Sequence, residues 1–470
     1  MVTVFIVSCS LPVIRSGNAI AEFFLSGVIS PAVFVKGQGS RAISPATAVV
    51  EVEVSGSEGI LRTVSVSMQP GENQIRVPNL PLGTALRFEI RTRNAQGDII
   101  TKATMEGVLL APGSNRLAAV LKPEASAVQS LTVPGAMGPE APYVPVSNMS
   151  LDYNETKFYS IVFPSTYTGE RHIFFDTGST DWVWLSVFDE NWQPLNTVTA
   201  APEDGWAVVD IPSTGSVVNI MVSNALSLPG YTVAGVTGSL VLQKAVFFAL
   251  GASGSGTSAS PALLVPSSFD TNYNNKSCFF AAGDYDVSGS IAVQMSSTAR
   301  YYLYGGFSAD WKTRGNTTRF LSTSSSETSV FNVGSASGYY PKVLIDRFVI
   351  EKQALTTGGF GYALMAANGT ELRLYRCSLN GNSDSSSTAP VGTSARSGAV
   401  LFQGTRLEIG LSKLVGGQAI ALGPNTANAT AIIPFASIQT DFPEALPLLM
   451  LDLEGRPRPQ SGTWRIGAFE

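Results

Sequence analysis

Apolar residues alternate with polar residues in short runs along much of this chain, and turn-forming residues separate the runs. Val50, Val52 and Val54 begin the pattern, which repeats over 61–68 and 86–90. A period of two is typical of strands with one buried face. The pattern therefore predicts a small antiparallel β-sandwich over residues 48–122.

A second group of alternating runs lies between residues 148 and 244, for example at Lys157–Phe163 and Arg171–Asp176. These runs predict a second β-sandwich. The intervening residues 123–147 include five prolines. Because proline cannot donate to a strand ladder, we interpret this segment as a stiff linker.

Similar short strand patterns recur at irregular intervals in the last part of the chain. Ile345–Ile350, Leu374–Leu379 and Ile409–Leu414 align with offsets of 29 and 35 residues. Stacked coils with loops of different length produce such spacing, and each coil buries its apolar residues against its neighbours. The pattern predicts a solenoid, with the Ser-rich segment 380–396 as one of its loops.

Four motifs between residues 245 and 470 occur in the order found in one bacterial family. They are Val246–Gly251 with its Gly-Ser turn, Cys278–Tyr285, Tyr302–Phe307 and the closing segment Asp452–Glu470. Together they resemble secreted right-handed parallel β-helix proteins. The resemblance implies a β-helix over 245–470 and an exported protein. Many β-helix proteins cleave polysaccharides, so it also raises an enzymatic alternative.

The two predicted sandwiches also resemble known accessory modules. The order of strands from Lys157 to Tyr231 is similar to the bacterial pre-peptidase C-terminal domain, which is non-catalytic. The earlier strands, with the hairpin Asn94–Gly97, resemble prealbumin-like or fibronectin-like spacers. These resemblances imply binding, stabilising or spacing roles.

Composition supports the same fold class. Charged residues make up only 14% of the 470 residues, against roughly 25% in an average soluble protein. We expect an all-β chain with two small β-sandwich domains followed by a right-handed parallel β-helix, or solenoid. The net charge of -5 provides no basic field for nucleic acid, so no nucleic-acid partner is predicted.

Residues 1–47 are interpreted as an export or lipoprotein-like leader and linker. Ile6-Val-Ser-Cys9 resembles a permissive bacterial lipobox, which implies a lipid anchor at Cys9 and an extracellular or outer-surface location. A buried first strand with an incidental cysteine is the alternative. The membrane is expected to be a partner only through this anchor.

Four of the six tryptophans, Trp182, Trp184, Trp192 and Trp206, fall within 25 residues. Exposed aromatic rings stack on sugars, so these side chains are candidates for a glycan-binding face. Trp182 and Trp184 share one face of a strand, and such a pair is more often part of the core. Both interpretations stay open.

Few residues offer catalytic or metal-binding chemistry. With one histidine, His172, and three cysteines, no zinc site of ordinary spacing can be assembled, and no metal or other cofactor is predicted. Asp176-Thr-Gly resembles the catalytic loop of pepsin-like proteases. That chemistry needs a second aspartate that shares a proton, and a matching second motif is missing, so a strand-linking turn is the favoured interpretation.

The expected function is that of a non-catalytic surface protein with a structural, adhesive or glycan-binding role. Its predicted partner is a polysaccharide, the cell envelope or a host surface. The alternative is a polysaccharide lyase or glycoside hydrolase, which would need carboxylates and a basic residue on one groove. The candidate residues for that alternative are Asp346, Arg347, Glu371, Arg373 and Arg376.

Overall fold

The computed structural model describes the chain in segments. These are residues 19–28, 44, 46–67, 71–138, 141–153, 155–177, 183–195, 199–201, 206–211, 216–224, 235–263, 268–269, 273, 275–293, 300–324, 329–334, 341–353, 361–367, 370–381, 397–410, 412–415, 418–422 and 430–432. Within them the regular structure is strand, apart from two short 3-10 turns at Ala125–Ala127 and Ser165–Tyr167. The prediction of an all-β chain is confirmed.

Seven strands form the N-terminal part. They are β1 (Ala19–Val28), β2 (Val49–Gly56), β3 (Gly59–Ser67), β4 (Gly71–Leu80), β5 (Leu86–Arg93), β6 (Ile99–Val108) and β7 (Gly113–Leu117). They make one sheet of order β4-β1-β7 and another of order β3-β2-β5-β6. Val50, Val52 and Val54 are fully buried, as their alternation predicts.

The N-terminal strand β1 lies in a region that the sequence assigned to the leader. It pairs with β4 on one side and β7 on the other, and Ala19, Ala21 and Phe23 are buried in the core. The reason is local: these three residues alternate with polar or half-buried ones, so the segment has the strand period. Cys9 lies outside the described residues.

Nine strands follow. They are β8 (Val128–Thr132), β9 (Tyr143–Leu151), β10 (Glu155–Val162), β11 (Gly169–Asp176), β12 (Trp184–Phe188), β13 (Thr199–Ala201), β14 (Trp206–Ile211), β15 (Val217–Asn224) and β16 (Val236–Ala249). One sheet has the order β12-β15-β10-β8, and β13-β14-β11-β16 begins a second, longer sheet.

Two strands occupy the segment interpreted as a proline-rich linker. Residues 128–132 contain no proline, so β8 can pair with β10. In β9, Pro145 falls within a ladder to β16 that has register shifts, and such irregularities tolerate a residue without an N–H group. The segment is therefore part of the folded structure.

Eighteen strands complete the described chain. They are β17 (Ala262–Leu263), β18 (Ser268–Phe269), β19 (Ser277–Ala281), β20 (Gly283–Asp286), β21 (Ile291–Val293), β22 (Arg300–Phe307), β23 (Thr318–Ser322), β24 (Ser329–Val333), β25 (Lys342–Asp346), β26 (Phe348–Lys352), β27 (Gly361–Ala366), β28 (Glu371–Tyr375), β29 (Ser378–Asn380), β30 (Ser397–Phe402), β31 (Arg406–Gly410), β32 (Lys413–Val415), β33 (Gln418–Leu422) and β34 (Thr430–Ile432).

The strands from β16 onward build three parallel sheets that the chain visits in turn. The long sheet continues as β16-β19-β22-β25-β28-β31-β34. The second has the order β20-β23-β26-β29-β32, and the third has the order β18-β21-β24-β27-β30-β33. Apart from β17, which pairs with β16, every third strand therefore returns to the same sheet and pairs with the strand three before it.

The register within the long sheet confirms the offsets read from the sequence. Ile345 pairs with Leu374, and Leu374 pairs with Ile409. All three are buried in one apolar core with side chains from the other two parallel sheets. The closing segment 452–470 and most of the Ser-rich segment 380–396 lie outside the described residues.

The strand β16 crosses the boundary placed at residue 244 without a break. Its first part pairs antiparallel with β11, and its last residues pair parallel with β19. Since both pairings use one 14-residue strand, the antiparallel and parallel parts of the long sheet are continuous. This continuity positions residues of β11 beside residues of the later parallel strands.

Candidate functional site

The outer face of the long parallel sheet is where strand register aligns charged side chains. The core contains Leu303, Ile345 and Leu374, which are register partners on β22, β25 and β28. Because side chains alternate along a strand, the residues directly before and after each of these three point outward. The first outer row consists of Arg300, Lys342, Glu371 and Arg406. The second outer row consists of Tyr302, Leu344, Arg373 and Glu408.

Asp176 joins these rows from a distant part of the chain. Its carboxylate accepts hydrogen bonds from Arg300 Nη1 at 2.8 Å and from the Tyr302 hydroxyl at 2.9 Å. Arg373 Nη2 lies 3.4 Å from its other oxygen. The Asp176 side chain is only 7% exposed. Three donors therefore surround one nearly buried carboxylate and satisfy both of its oxygens.

These contacts require strong curvature of the long sheet. Asp176 is in β11 and Arg373 is in β28, five strand spacings away. On a flat sheet that separation would be about 24 Å, which the two side chains together could not bridge. The outer face is therefore concave, and Asp176 reaches across it.

Arg373 stands between carboxylates on this concave face. It is in register with Glu408 of β31, while Asp176 approaches from the other side. Burial alone would lower the pKa of Arg373, but Tyr302, Asp176 and Glu408 raise it overall. Glu408 is itself buried and lies 3.3 Å from Arg406 Nη2. The group is a compact network of opposite charges.

A second charged group surrounds Asp346 at the end of β25. Arg314 Nη2 lies 2.8 Å from its carboxylate, and Arg376 contacts both carboxylate oxygens through Nε and Nη2. The side chains of Asp346 and Arg314 are 3% and 6% exposed. The guanidinium of Arg314 also lies 5.4 Å from the centre of the Tyr304 ring. This arrangement is that of a buried, doubly paired carboxylate.

The sequence-predicted enzymatic candidates are divided between different environments. Asp346 and Arg376 meet in the buried group just described. Arg373 contacts Asp176, whereas Glu371 pairs with Lys342 at 2.8 Å on the exposed first outer row. Arg347 has a φ of 61° in the turn between β25 and β26, and its amide donates to the carbonyl of Tyr375. The five residues therefore do not form one cluster.

The tryptophans lie mainly in the interior. Trp206 is 3% exposed within an aromatic cluster that packs on the concave face and includes Tyr302, and Trp192 is 9% exposed against Phe158 and Phe188. Trp184 is half-buried, and its indole N–H donates to Ser186. Trp182 lies outside the described residues. Their burial shows that Trp192 and Trp206 are core residues. A glycan-binding role for the four tryptophans stays a prediction.

The only histidine is part of a buried polar network. His172 Nδ1 lies 2.6 Å from Ser277 Oγ, which accepts a hydrogen bond from Gln243 Nε2 at 2.6 Å. The serine hydroxyl is then placed to donate to a neutral imidazole. Burial, with a smaller effect from Arg314, lowers the pKa of His172 well below its ordinary value. The ring is fully enclosed and is a structural residue.

This environment predicts a pH-dependent loss of stability. In the unfolded chain the ring has an ordinary pKa of about 6.5. Below that pH the unfolded state binds a proton that the folded state does not, so the stabilisation of the folded state by the neutral ring is fully present above about pH 6.5 and declines below it. Relative to His172→Gln, the wild-type free energy of unfolding should fall by about 1.4 kcal/mol per pH unit below about pH 6.5. Urea unfolding between about pH 7.5 and 5.5 measures this. Parallel pH profiles for the two proteins would contradict it.

Cysteine and metal chemistry receive no support from the described residues. Cys278 and Cys377 are fully buried, and burial raises the pKa of both thiols. Within the described segments, no three Cys, His, Asp or Glu side chains are grouped as a metal ion would require. The same segments contain no helix that is long and apolar enough to cross a bilayer.

The sequence interpretation missed the grouping of Asp176, Arg300, Tyr302 and Glu408 with Arg373. One signal for part of it was available. The 29- and 35-residue offsets align Arg373 with Leu344 and Glu408, so the second outer row could have been derived. The approach of Asp176 depends on sheet curvature and has no local sequence signal.

Comparison with known proteins places no constraint on this site. No protein-family model matches the chain, and no curated protein matches it significantly. The function therefore rests on the residues and geometry described above.

Proposed function

We propose that this chain is an exported bacterial surface protein that binds acidic glycans without cleaving them. Its β-structure would consist of two β-sandwich modules followed by a right-handed parallel β-helix. Three parallel sheets visited in turn support the β-helix, and the general preference for right-handed crossovers between parallel strands supports its handedness. Export and anchoring at Cys9 rest on the lipobox-like sequence.

The first outer row carries the proposed interaction. Arg300, Lys342 and Arg406 are 46%, 41% and 34% exposed and occupy equivalent positions on successive or nearby parallel strands. Neighbouring strands are about 4.8 Å apart, so the row places one charged side chain on each successive strand at about that spacing. Together with Arg373 these side chains make four cations against three carboxylates, those of Glu371, Asp176 and Glu408, and the excess positive charge favours an anionic polymer that lies across the strands.

The pairing of the carboxylates favours binding over catalysis. Asp176 and Asp346 are each nearly buried and contact two arginines. A hydrolase needs one carboxyl group that stays protonated and a second that acts as base or nucleophile. Both acids are instead held in ion pairs with arginines, which suits a structural role.

The runner-up function is a polysaccharide lyase or hydrolase acting on the concave face. One observation favours it: Arg373 lies close to Asp176 and in register with Glu408 on the same face. A basic residue flanked by carboxylates is the combination that lyase chemistry uses. Turnover that disappears in Arg373→Gln would support this alternative.

A glycan array combined with a turnover screen tests the proposal. We expect binding to acidic glycans, no new reducing ends and no new product absorbance. Lys342→Gln combined with Arg406→Gln should weaken binding about 5- to 30-fold, because exposed charge contacts contribute about 0.5–1 kcal/mol each.

Arg62→Gln, at an exposed position of β3, is the matched control and should bind as the wild type does. Equal binding by the double variant, or turnover of a bound glycan, would overturn the proposal.

A further inference from the structure

The strand β3 forms an open edge of the N-terminal sheet β3-β2-β5-β6. Among the described strands it pairs only with β2, so its outer edge adjoins no other described strand. Residues 59–63 are all exposed, and Ile60 and Leu61 reach 66% and 42%. Both faces of this part of the strand therefore lie open to solvent. An unpaired edge of this kind is a template for pairing with another chain.

The other edges of the two N-terminal sheets are protected. In β4 there are Pro78 and a register shift against β1. In β6, Lys102 exchanges two backbone hydrogen bonds with Lys122, and β7 has only five residues. Proline, irregular pairing, cover and short length are devices by which proteins prevent edge-to-edge association. Residues 62–67 of β3 contain neither proline nor lysine, and the one register shift of this strand lies at Leu61.

The buried layer of this sheet is incompletely covered at β3. Val50 and Val52 of β2 are fully buried. Their register partners on β3, Val66 and Val64, pack on the same core but are only half-buried. A strand added beside β3 would cover these two valines and remove apolar surface from water.

The regular part of β3 is complementary to itself in the antiparallel direction. Pairing centred on Val64 places Thr63 of one copy opposite Ser65 of the other. Opposed threonine and serine form favourable cross-strand pairs. The same pairing places Arg62 opposite Val66. The two Arg62 side chains are then four residues apart along the strands, about 14 Å, so these like charges do not meet.

We propose that β3 is a self-association surface, through which two copies of this chain form an antiparallel dimer whose sheet continues from one copy into the other. The paired segment is 62–66, centred on Val64. Five residues per copy are far fewer than the roughly 20–30 per side of a standard stable interface. The dimer is therefore weak and depends on protein concentration. This surface goes beyond the proposed glycan contact and does not depend on it.

Sedimentation velocity of the full chain between about 1 and 200 µM tests the dimer. We expect the wild type to shift from monomer to dimer over this range. Thr63→Lys combined with Ser65→Lys should weaken the dimer about tenfold or more, because the introduced lysines face each other twice across the interface. Within one copy these positions lie opposite Glu53 and Glu51 of β2, so the urea midpoint of the monomer should not fall.

A charge-swapped variant and a matched control distinguish pairing at β3 from association elsewhere. Thr63→Lys combined with Ser65→Asp places opposite charges in the same two cross-strand pairs and should dimerise at least as tightly as the wild type. Thr104→Lys combined with Gln129→Lys adds the charge of the double-lysine variant at exposed positions of β6 and β8, and should dimerise as the wild type does.

Three results would overturn the proposal. The first is a wild-type monomer throughout the concentration range. The second is a dimer that the double-lysine variant retains at full strength, which would locate the contact elsewhere. The third is equal loss of the dimer in the double-lysine and charge-swapped variants, which would contradict antiparallel pairing centred on Val64.

Discussion

Replacing Asp346 with asparagine is expected to lower the free energy of unfolding by about 3 kcal/mol or more. The substitution keeps the size of the side chain but removes its charge. Arg314 and Arg376 would then be left facing each other with side chains only 6% and 16% exposed. An uncompensated buried charge accounts for the large effect, so the loss should persist at high salt.

Urea unfolding of Asp346→Asn and a matched control measures this. Glu371→Gln breaks the Lys342 ion pair, where the two side chains are 41% and 35% exposed, and should change stability by less than about 1 kcal/mol. Combining Asp346→Asn with Arg376→Gln should be less damaging than the sum of the two single changes. Equal losses in Asp346→Asn and Glu371→Gln would show that burial of the pair has no special effect.

The sequence predicted the strands and their stacking better than it predicted the boundaries between domains and linkers. Val50, Val52 and Val54 revealed a buried strand face through their period alone. The offsets of 29 and 35 residues between Ile345, Leu374 and Ile409 agree with the pairing of the parallel strands, although the sequence alone did not assign a register. Such signals are local, or they repeat along the chain. Packing of side chains with period two is sufficient to produce them.

Boundaries were harder because local composition did not decide which elements pair. Pro145 suggested a linker, but pairing with β16 holds β9 in the long sheet. The parts of β16 before and after residue 244 were assigned to different domains, although one strand serves both sets of partners. In both cases tertiary pairing outweighed the local signal.

Part of the candidate site was predictable from the repeat of strand patterns along the chain. Register placed Arg373 beside Glu408, and that pairing follows from the repeat. Asp176, however, is 124 residues from Arg300 and 197 residues from Arg373. Their contact depends on how far the long sheet curves, and the alternation of residues within strands carries no information about that curvature.

Phe320 lies in the interior that the three parallel sheets share. Its ring is fully buried and packs at 5.3 Å, centre to centre, on Phe348 of the next strand in its sheet. It also contacts Tyr285 of the preceding strand and Phe331 of the third sheet. Phe320 therefore joins three successive turns of the chain through one set of ring contacts.

Phe320→Ala is expected to lower the free energy of unfolding by about 3–5 kcal/mol, because it removes buried ring area and leaves a cavity. Phe320→Leu should lose less, since it fills most of the space. Leu250→Ala, at a side chain that is 45% exposed, is the control and should change stability little. Urea unfolding measures all three variants.

Because each turn of stacked strands is stabilised by its neighbours, the damage from Phe320→Ala should spread beyond β23. Hydrogen exchange should accelerate first in β20 and β26, the strands that pair with it. The first outer row would then lose its alignment, so affinity for acidic glycans should fall although no outward charge has changed. Normal glycan affinity together with fast exchange in β26 would show that the interior and the outer face are not coupled.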